Sequence, residues 1–305
     1  MATPSLKKSN LHSNILLLIT AAIWGFAFVF QRTGMEHVGP FTFNAARFAL
    51  GTLSLIPVWW WLSSRSAQAS SSKVFYYGAI AGTFLFAGST LQQVGIQYTT
   101  AGKAGFITGL YIVIVPIIAL LFGQYTRKET WVGCAFALVG LYLLSVTDDL
   151  TIEYGDTLVL IGAIFWAGHV LIIAKYSPKV SAIALSVVQF AVCAALSLVV
   201  ALFTEEIKTD NILLAGESIL FTGLISVGVA YTLQVIAQQN AHPAHAAIIL
   251  SLEALFAAVG GWMLLNEVLT TKAIIGCTLM LLGMVISQIK LFKIPSKIGE
   301  KPTIS

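Results

Sequence analysis

Residues 104–123 read AGFITGLYIVIVPIIALLFG, a run of twenty residues without a charged side chain. An α-helix of about 20 residues is about 30 Å long, which matches the hydrocarbon thickness of a bilayer. Nine other stretches have a similar length and apolar character. The ten stretches cover residues 14–32, 41–62, 74–96, 104–123, 130–147, 157–175, 181–203, 217–239, 244–265 and 272–291. The sequence therefore predicts an all-α polytopic membrane protein with ten transmembrane helices.

The composition supports a location in the lipid bilayer. Hydrophobic residues make up 57% of the 305 residues and charged residues only 10%, whereas a soluble domain carries roughly 25% charged residues. The linkers are short, so we expect no domain outside the bilayer. The first stretch follows Lys7 and Lys8 but continues without a small-residue cleavage site, which predicts a retained helix and not a signal peptide.

The basic residues predict the orientation. With a cytoplasmic N-terminus, twelve of them fall in inner loops and tails: Lys7, Lys8, Arg65, Lys73, Arg127, Lys128, Lys175, Lys179, Lys290, Lys293, Lys297 and Lys301. Four fall in outer loops: Arg32, Lys103, Lys208 and Lys272. The inner excess places both termini in the cytoplasm. We expect the membrane to be a plasma membrane, most simply a bacterial inner membrane. Because the net charge of +4 is dispersed, nucleic acid is not an expected partner.

The sequence offers no cofactor or metal motif. Cys134, Cys193 and Cys277 lie inside apolar stretches without the spacing of a metal or redox site, so we expect them to fill space in the packed interior. A phosphate-binding loop is also missing, so ATP is not expected to drive the protein.

The chain repeats itself at an offset of 142 residues. Trp24 falls on Trp166, and Gln92 falls on Gln234, each glutamine being preceded by Thr-Leu. Chance similarity between apolar stretches does not readily place tryptophan and glutamine at matching positions. The sequence therefore predicts two related halves, and we call residues at this offset repeat mates.

The halves are residues 1–150 and 151–305, which we expect to form one membrane-embedded unit. Each half has five helices, so the second half must enter the membrane in the opposite orientation. Inverted repeats place a binding site near the membrane midplane and permit alternating access. Glycines recur seven residues apart in the fifth and tenth stretches, at Gly133 and Gly140 and at Gly276 and Gly283. They could serve packing within a half or a homodimer contact.

Four segments carry a family resemblance: AAIWGFAFVFQR at 21–32, FITGLYIVIVP at 106–116, SLEALFAAVGGWMLLNEVLTTKAIIG at 251–276 and GCTLMLLG at 276–283. The chain resembles the EamA-type ten-helix branch of the drug/metabolite transporter superfamily. This resemblance implies a 5+5 inverted repeat around a central cavity, lined mainly by helices one to four and six to nine, with helices five and ten at the periphery. It also implies transport of amino acids, other metabolites or drugs. Ala254 stands where the family usually has a proline, so a proline bend in the ninth helix is expected to be missing.

Polar and aromatic residues deep in the stretches are candidates to line the cavity. They are Trp24, Arg47, Gln92, Gln93, Tyr111, Trp166, His169, Gln189, Gln234 and Glu253. Glu253 lies near the bilayer centre, where a carboxylate costs roughly 2.5–3.5 kcal/mol on insertion scales. It is the candidate for ion coupling or for binding a cationic group. The alternative is a neutral acid that hydrogen-bonds a neighbouring helix.

Other candidates have structural alternatives too. Arg47 can hold a carboxylate or phosphate, or it can snorkel to the interface. Trp24 and Trp166 lie too deep for interfacial anchoring but could pack against lipid or a neighbouring helix. Gln92 and Gln234 need polar partners because a buried amide without one is costly.

These features favour a secondary active transporter, most simply an exporter, of a small polar or amphipathic metabolite, with amino acids as the leading class. Multidrug export is the main alternative. An intramembrane enzyme would need paired acids, a Ser–His pair or a metal cluster at membrane depth, and the scattered polar residues do not suggest one. Short loops argue against a receptor or scaffold.

The orientation can be tested with single cysteines in a variant that lacks the native ones. Cysteines that replace Lys73, Lys128 and Lys179 are expected to react with an impermeant thiol reagent from the cytoplasmic side, because basic loops stay inside. Cysteines that replace Asp149 and Glu205 are expected to react from outside. External labelling of Lys128→Cys would overturn this topology.

Overall fold

The computed structural model describes residues 4–63, 71–99, 101–145, 153–265 and 268–288, and these ranges are helical without a strand. The first half contains α1 (Pro4–Gly34), α2 (Pro40–Ser63), α3 (Ser71–Ile96), α4 (Ala101–Gly109), α5 (Tyr111–Leu121) and α6 (Lys128–Ser145). The second half contains α7 (Tyr154–Tyr176), α8 (Ala182–Thr204), α9 (Thr209–Leu214), α10 (Gly216–Leu220), α11 (Thr232–Gln238), α12 (Pro243–Leu250), α13 (Glu253–Leu265) and α14 (Thr271–Gln288). A 3₁₀ turn, Ser177–Lys179, follows α7, and a π-helix, Phe221–Tyr231, joins α10 to α11.

Eight helical segments are long and apolar enough to cross a membrane. They are Leu11–Gly34, Pro40–Leu62, Ser72–Ile96, Ala104–Leu121, Tyr154–Lys179, Ala182–Thr204, Gly216–Gln238 and Pro243–Leu264. Each corresponds to one predicted stretch, and the ends agree to within a few residues. The described part of the chain is therefore that of an all-helical, multi-pass membrane protein.

The other two predicted stretches correspond to α6 and α14, which are not among those eight. The apolar segment in α14 is shorter, Thr271–Ser287, and α6 opens with the charged pair Lys128 and Glu129. Outside the described residues lie the predicted ends of these stretches at 147 and 291, Arg65, Asp149 and the division between residues 150 and 151.

Two spans are interrupted by a tight turn at matching positions of the repeat. Numbering spans as the predicted stretches, these are the fourth (α4 and α5) and the ninth (α12 and α13). The Leu110 N–H donates to Ile107 O, and the Leu252 N–H donates to Ile249 O, both at 3.2 Å. These bonds reach back three residues, where an α-helix reaches back four. The interruption of the ninth span thus forms without the proline that Ala254 replaces.

The helices α6 and α14 pack closely and run antiparallel. Gly133 lies against the backbone of Gly283, and Gly140 lies against the backbone of Gly276, so that a side chain at either glycine would collide with the opposite helix. The prediction of a contact within one half was wrong, because the glycines join the two halves of the same chain. Their small faces are therefore in contact within one chain, and a homodimer contact through these helices stays a prediction.

Each contact between the two halves has a second contact that the repeat relates to it. The helix α2 runs parallel to the π-helix. Their mates, α8 and α3, also run parallel to each other. The contacts are Leu50 with Gly223 and Ser54 with Gly228 in the first pair, and Gly78 with Val188 and Gly82 with Val192 in the second. The helix α1 runs antiparallel to the eighth span, where Thr20 contacts Ala230 and Thr33 contacts Ser218. The mated pair, α7 and α3, is also antiparallel, and here Trp166 contacts Gly88 and Val159 contacts Gly95.

One carboxylate ties the end of α8 to the start of α2. Glu205 accepts hydrogen bonds from the backbone N–H groups of Phe41 and Thr42, at 2.9 and 2.7 Å, and from the Thr42 hydroxyl at 2.6 Å. The first N–H groups of a helix have no partner within it, and a negative charge is favourable there. Glu205 therefore acts as an N-terminal cap supplied by the other half.

Substituting Gly140 tests the contact between α6 and α14. Gly140→Ala is expected to lower the free energy of unfolding by about 1–3 kcal/mol, because the added methyl group overpacks the interface. The matched control is Gly105→Ala, since the space around Gly105 is open and alanine favours a helix over glycine. Thermal unfolding of the purified protein in detergent measures both. Equal Tm values for the two variants would contradict this account of the interface.

Candidate functional site

A small cavity lies where the two halves meet. It is lined by Trp24, Ala27, Phe28, Gln31, Arg47, Gln92, Thr108, Tyr111, Trp166, Val170, Ser226, Tyr231, Gln234, Leu250 and Glu253. The space open to the centre of a water molecule is about 30 Å³, which is enough for roughly two waters. A metabolite therefore fits only after the walls move apart.

Ten of the lining residues are repeat mates of one another. The pairs are Trp24 with Trp166, Phe28 with Val170, Gln92 with Gln234, Thr108 with Leu250, and Tyr111 with Glu253. Corresponding positions of the two halves thus face a shared space. The cavity therefore lies between the two halves, and both halves supply its walls.

Seven of the ten predicted residues line this cavity, and three do not. The three outside it are Gln93, His169 and Gln189. His169 Nε2 and Gln189 Oε1 are 2.9 Å apart, and both side chains are fully buried. Gln93 Nε2 donates to the backbone oxygen of Gln31 at 3.5 Å. The seventh span, which is α8, therefore supplies no lining residue in the described structure. The family resemblance had implied that it would.

Glu253 is held by its repeat mate. The Tyr111 hydroxyl donates to Glu253 Oε1 at 3.2 Å, and the two residues are 3% and 5% exposed. Among the described residues, no basic side chain forms an ion pair with Glu253. Since an unpaired charge at membrane depth is costly, this carboxyl either carries a proton or awaits a cationic partner.

Arg47 is the cation of the cavity, and it also lacks a carboxylate partner among the described residues. Its Nη1 donates to Gln31 Oε1 at 2.9 Å, and the guanidinium carbon lies 4.9 Å from the centre of the Phe48 ring. Arg47 is only 2% exposed, so the alternative of snorkelling to the interface does not describe it. Its fork of donors remains open to an anionic group.

Three large aromatic side chains form one wall. Tyr231 contacts Trp24 with ring centres 4.4 Å apart and lies nearly parallel to Trp166 at 6.2 Å, with an angle of 21° between the planes. Tyr231 is the last residue of the π-helix. The wider π turns shift side chains relative to an α-helix, and such turns are frequent at functional sites.

Several lining atoms have no hydrogen-bond partner within the described structure. They are Trp24 Nε1, Arg47 Nε, Trp166 Nε1 and Gln234 Oε1. Buried polar atoms are normally satisfied by protein or water. These donors and the acceptor are therefore available to water or to a ligand. In the described residues, no group of three or more His, Cys, Asp or Glu side chains could hold a metal ion.

Two aromatic stacks join helix ends of one half to helix ends of the other. Phe30 at the end of α1 stacks on Phe221 at the start of the π-helix, with centres 4.1 Å apart. Tyr77 near the start of α3 stacks on Tyr176 at the end of α7, with centres 4.2 Å apart. The two stacks join corresponding helix ends, because α7 repeats α1 and the eighth span repeats α3.

Five polar or aromatic lining residues were not predicted from the sequence: Phe28, Gln31, Thr108, Ser226 and Tyr231. Helical spacing could have found Phe28 and Gln31, which lie four and seven residues after Trp24 and so share its face of α1. Thr108 and Tyr231 each lie three residues before a predicted residue, Tyr111 and Gln234. Ser226 lies within the π-helix, where this spacing does not hold.

The fold and the site together define a class of protein: a multi-pass helical membrane protein with a polar cavity between two repeated halves, the arrangement of a solute transporter. A model of the EamA-like transporter family matches the chain twice, over residues 12–146 and 153–288. The chain belongs to the EamA-like transporter family.

Similar proteins agree with this assignment. An uncharacterized transporter of Archaeoglobus fulgidus is 33% identical over 285 residues, which cover 92% of this chain and 87% of that protein. The uncharacterized transporter YwfM of Bacillus subtilis is 30% identical over 292 residues, which cover 92% of this chain and 94% of that protein. A solved crystal structure superimposes with a TM-score of 0.75 over 90% of this chain and 97% of its own, at 15% identity, which is a likeness of fold.

Proposed function

We propose that this transporter exports a small polar or amphipathic metabolite, with amino acids as the leading class, by alternating access around the central cavity. One observation carries the proposal. Arg47, a cation, and Glu253, an acid, line the same cavity and form no ion pair with each other among the described residues. A single cavity with a free cation and a free acid suits a solute that carries both an anionic and a cationic group.

The chemistry of the wall fits such a zwitterion. The guanidinium of Arg47 binds a carboxylate with two parallel hydrogen bonds. Glu253 takes the amino group or a coupling proton. The faces of Trp24, Trp166 and Tyr231 pack against an apolar side chain, and each can add about 0.5–2 kcal/mol where it meets a cation. A sugar phosphate would require several cations.

The proposed architecture has ten crossings in a 5+5 inverted repeat. The helices α6 and α14 are then the fifth and tenth crossings. Support comes from their antiparallel contact, since α14 is the repeat of α6 and an inverted repeat reverses the direction of each helix. In this topology both termini are cytoplasmic, the stack of Phe30 on Phe221 closes the outer side and the stack of Tyr77 on Tyr176 closes the inner side.

Alternating access then consists of opening one stack while the other stays closed. The two stacks join corresponding helix ends of the repeat. A helix movement that separates one stack opens one face of the membrane, and the equivalent movement of the other half separates the other stack and opens the opposite face. In this proposal the narrow cavity belongs to a state in which both stacks are formed. In this proposal the gradient of a coupled ion, and not ATP, drives transport.

Flux into liposomes tests the proposal. Purified protein is reconstituted and offered a panel of labelled amino acids with and without a pH gradient, and uptake specific to protein-containing vesicles is expected for at least one of them. Glu253→Gln is expected to reach the membrane in normal amounts, because a neutral amide is easier to bury than a carboxylate. Its turnover is expected to be slower, because the amide cannot carry a coupling proton.

Transport of lipophilic drugs and of no amino acid would favour the multidrug alternative. Unchanged flux and pH dependence in Glu253→Gln would remove Glu253 from coupling.

The aromatic wall generates a separate prediction. Trp24→Ala and Trp166→Ala are expected to weaken binding of the transported amino acid by roughly tenfold or more, a loss of about 1.4 kcal/mol. Gln97→Ala is the control, because Gln97 follows the end of α3 and is not among the lining residues. Concentration-dependent flux gives the apparent affinity. If both tryptophan variants transport with normal affinity, the wall does not hold the substrate.

A further inference from the structure

The hydrogen bond between Tyr111 and Glu253 lies on the axis that relates the two halves. Repeat mates that touch each other must lie on the axis that relates the two halves. Tyr111 and Glu253 are mates, and the hydroxyl of one is 3.2 Å from the carboxyl of the other. The pair therefore lies at equal depth from both faces of the inverted repeat, at the point where the halves meet.

The backbone places both side chains directly after the tight turns. Tyr111 is the first residue of α5, and Glu253 is the first residue of α13. The fourth and ninth spans, which carry these turns, belong to different halves. Any movement of one half against the other at this level changes the distance between the hydroxyl and the carboxyl.

No other side chain takes the place of Tyr111 in the described structure. Arg47 and Tyr231 line the same cavity, and Cys277 of α14 packs behind α13, but none of the three hydrogen-bonds Glu253. Backbone atoms of α1 approach α13 at Gly25, and glycine brings no titratable group. The phenol is thus the side-chain partner of this carboxyl.

A phenol suits this role because it can donate or accept a hydrogen bond. It donates to the ionised carboxylate and can accept from the protonated acid, so the pair stays together in both states. The bond to the ionised form is the stronger of the two, since a charged acceptor strengthens a hydrogen bond. Tyr111 therefore favours release of the proton from Glu253.

We propose that Tyr111 is a positioning residue for Glu253: it holds the carboxyl on the axis between the halves and donates a hydrogen bond to its ionised form. The amino group of the substrate takes over the place of the hydroxyl on binding. This inference deepens the proposed function, in which Glu253 couples transport, and its test below requires no transport.

Dicyclohexylcarbodiimide tests the inference because it modifies protonated carboxyl groups in apolar surroundings. The full-length protein in detergent is treated over a range of pH, and the adduct on Glu253 is quantified by mass spectrometry. In Tyr111→Phe the ionised form loses its donor, so the acid persists to higher pH. Labelling is then expected to continue to a midpoint about one pH unit above that of the unmodified protein, as the loss of one hydrogen bond to a charged group predicts.

Three further variants make the result decisive. Glu253→Gln is expected to lose the adduct, which identifies its site. Tyr231→Phe removes a hydroxyl from the same cavity that does not bond Glu253, and its labelling midpoint is expected to stay in place. Tyr111→Leu, a second variant without a donor, should repeat the upward shift. An unchanged midpoint in both Tyr111 variants, or an equal shift in Tyr231→Phe, would overturn the inference. Absence of amino-acid flux with the shift intact would overturn the proposed function alone.

Discussion

A charged or polar group in the hydrocarbon core of a bilayer must find its partner within the protein, because lipid offers none. This constraint explains where the polar residues of the chain lie. Arg47, Glu253 and the glutamines Gln92 and Gln234 gather around one cavity between the halves. Polar side chains of the spans outside the cavity, such as His169 with Gln189 and Gln238 with the Val170 backbone oxygen, have partners within the protein. The cavity therefore gathers polar side chains at membrane depth, and the surrounding helices separate these side chains from lipid.

The repeated fold supplies paired positions, and the unlike residues at those positions supply function. Trp24 and Trp166 preserve the symmetry of the wall. Tyr111 and Glu253 break it, since one position holds a neutral hydroxyl and the other an acid. Arg47 also has an unlike mate, Gln189, which turns away from the cavity toward His169. The two halves thus have similar helices but present unlike side chains to the cavity, which fits the unsymmetrical solute proposed above.

Much of the fold could be predicted from the sequence, because hydrophobic length and repeat spacing are local signals. The helix ends and the tight packing of Gly140 follow from such signals. The contact of His169 with Gln189 could not be predicted in this way. Helical depth places both residues near the cavity, but whether a side chain faces it depends on helix rotation, which the sequence pattern does not determine. The direction of packing of α6 on α14, across the halves, likewise depends on tertiary structure.

The π-helix at Phe221–Tyr231 has no counterpart in α3, where the mated segment is regular α-helix. A π-helix is wound more widely, so the same residues are shorter along the axis than in an α-helix. Rewinding one turn to α-helical geometry would lengthen the eighth span and rotate Tyr231 about the axis of that span. The third span has no such reserve of length. The third and eighth spans occupy matching positions of the repeat, yet they therefore differ in the length that a rewound turn can add.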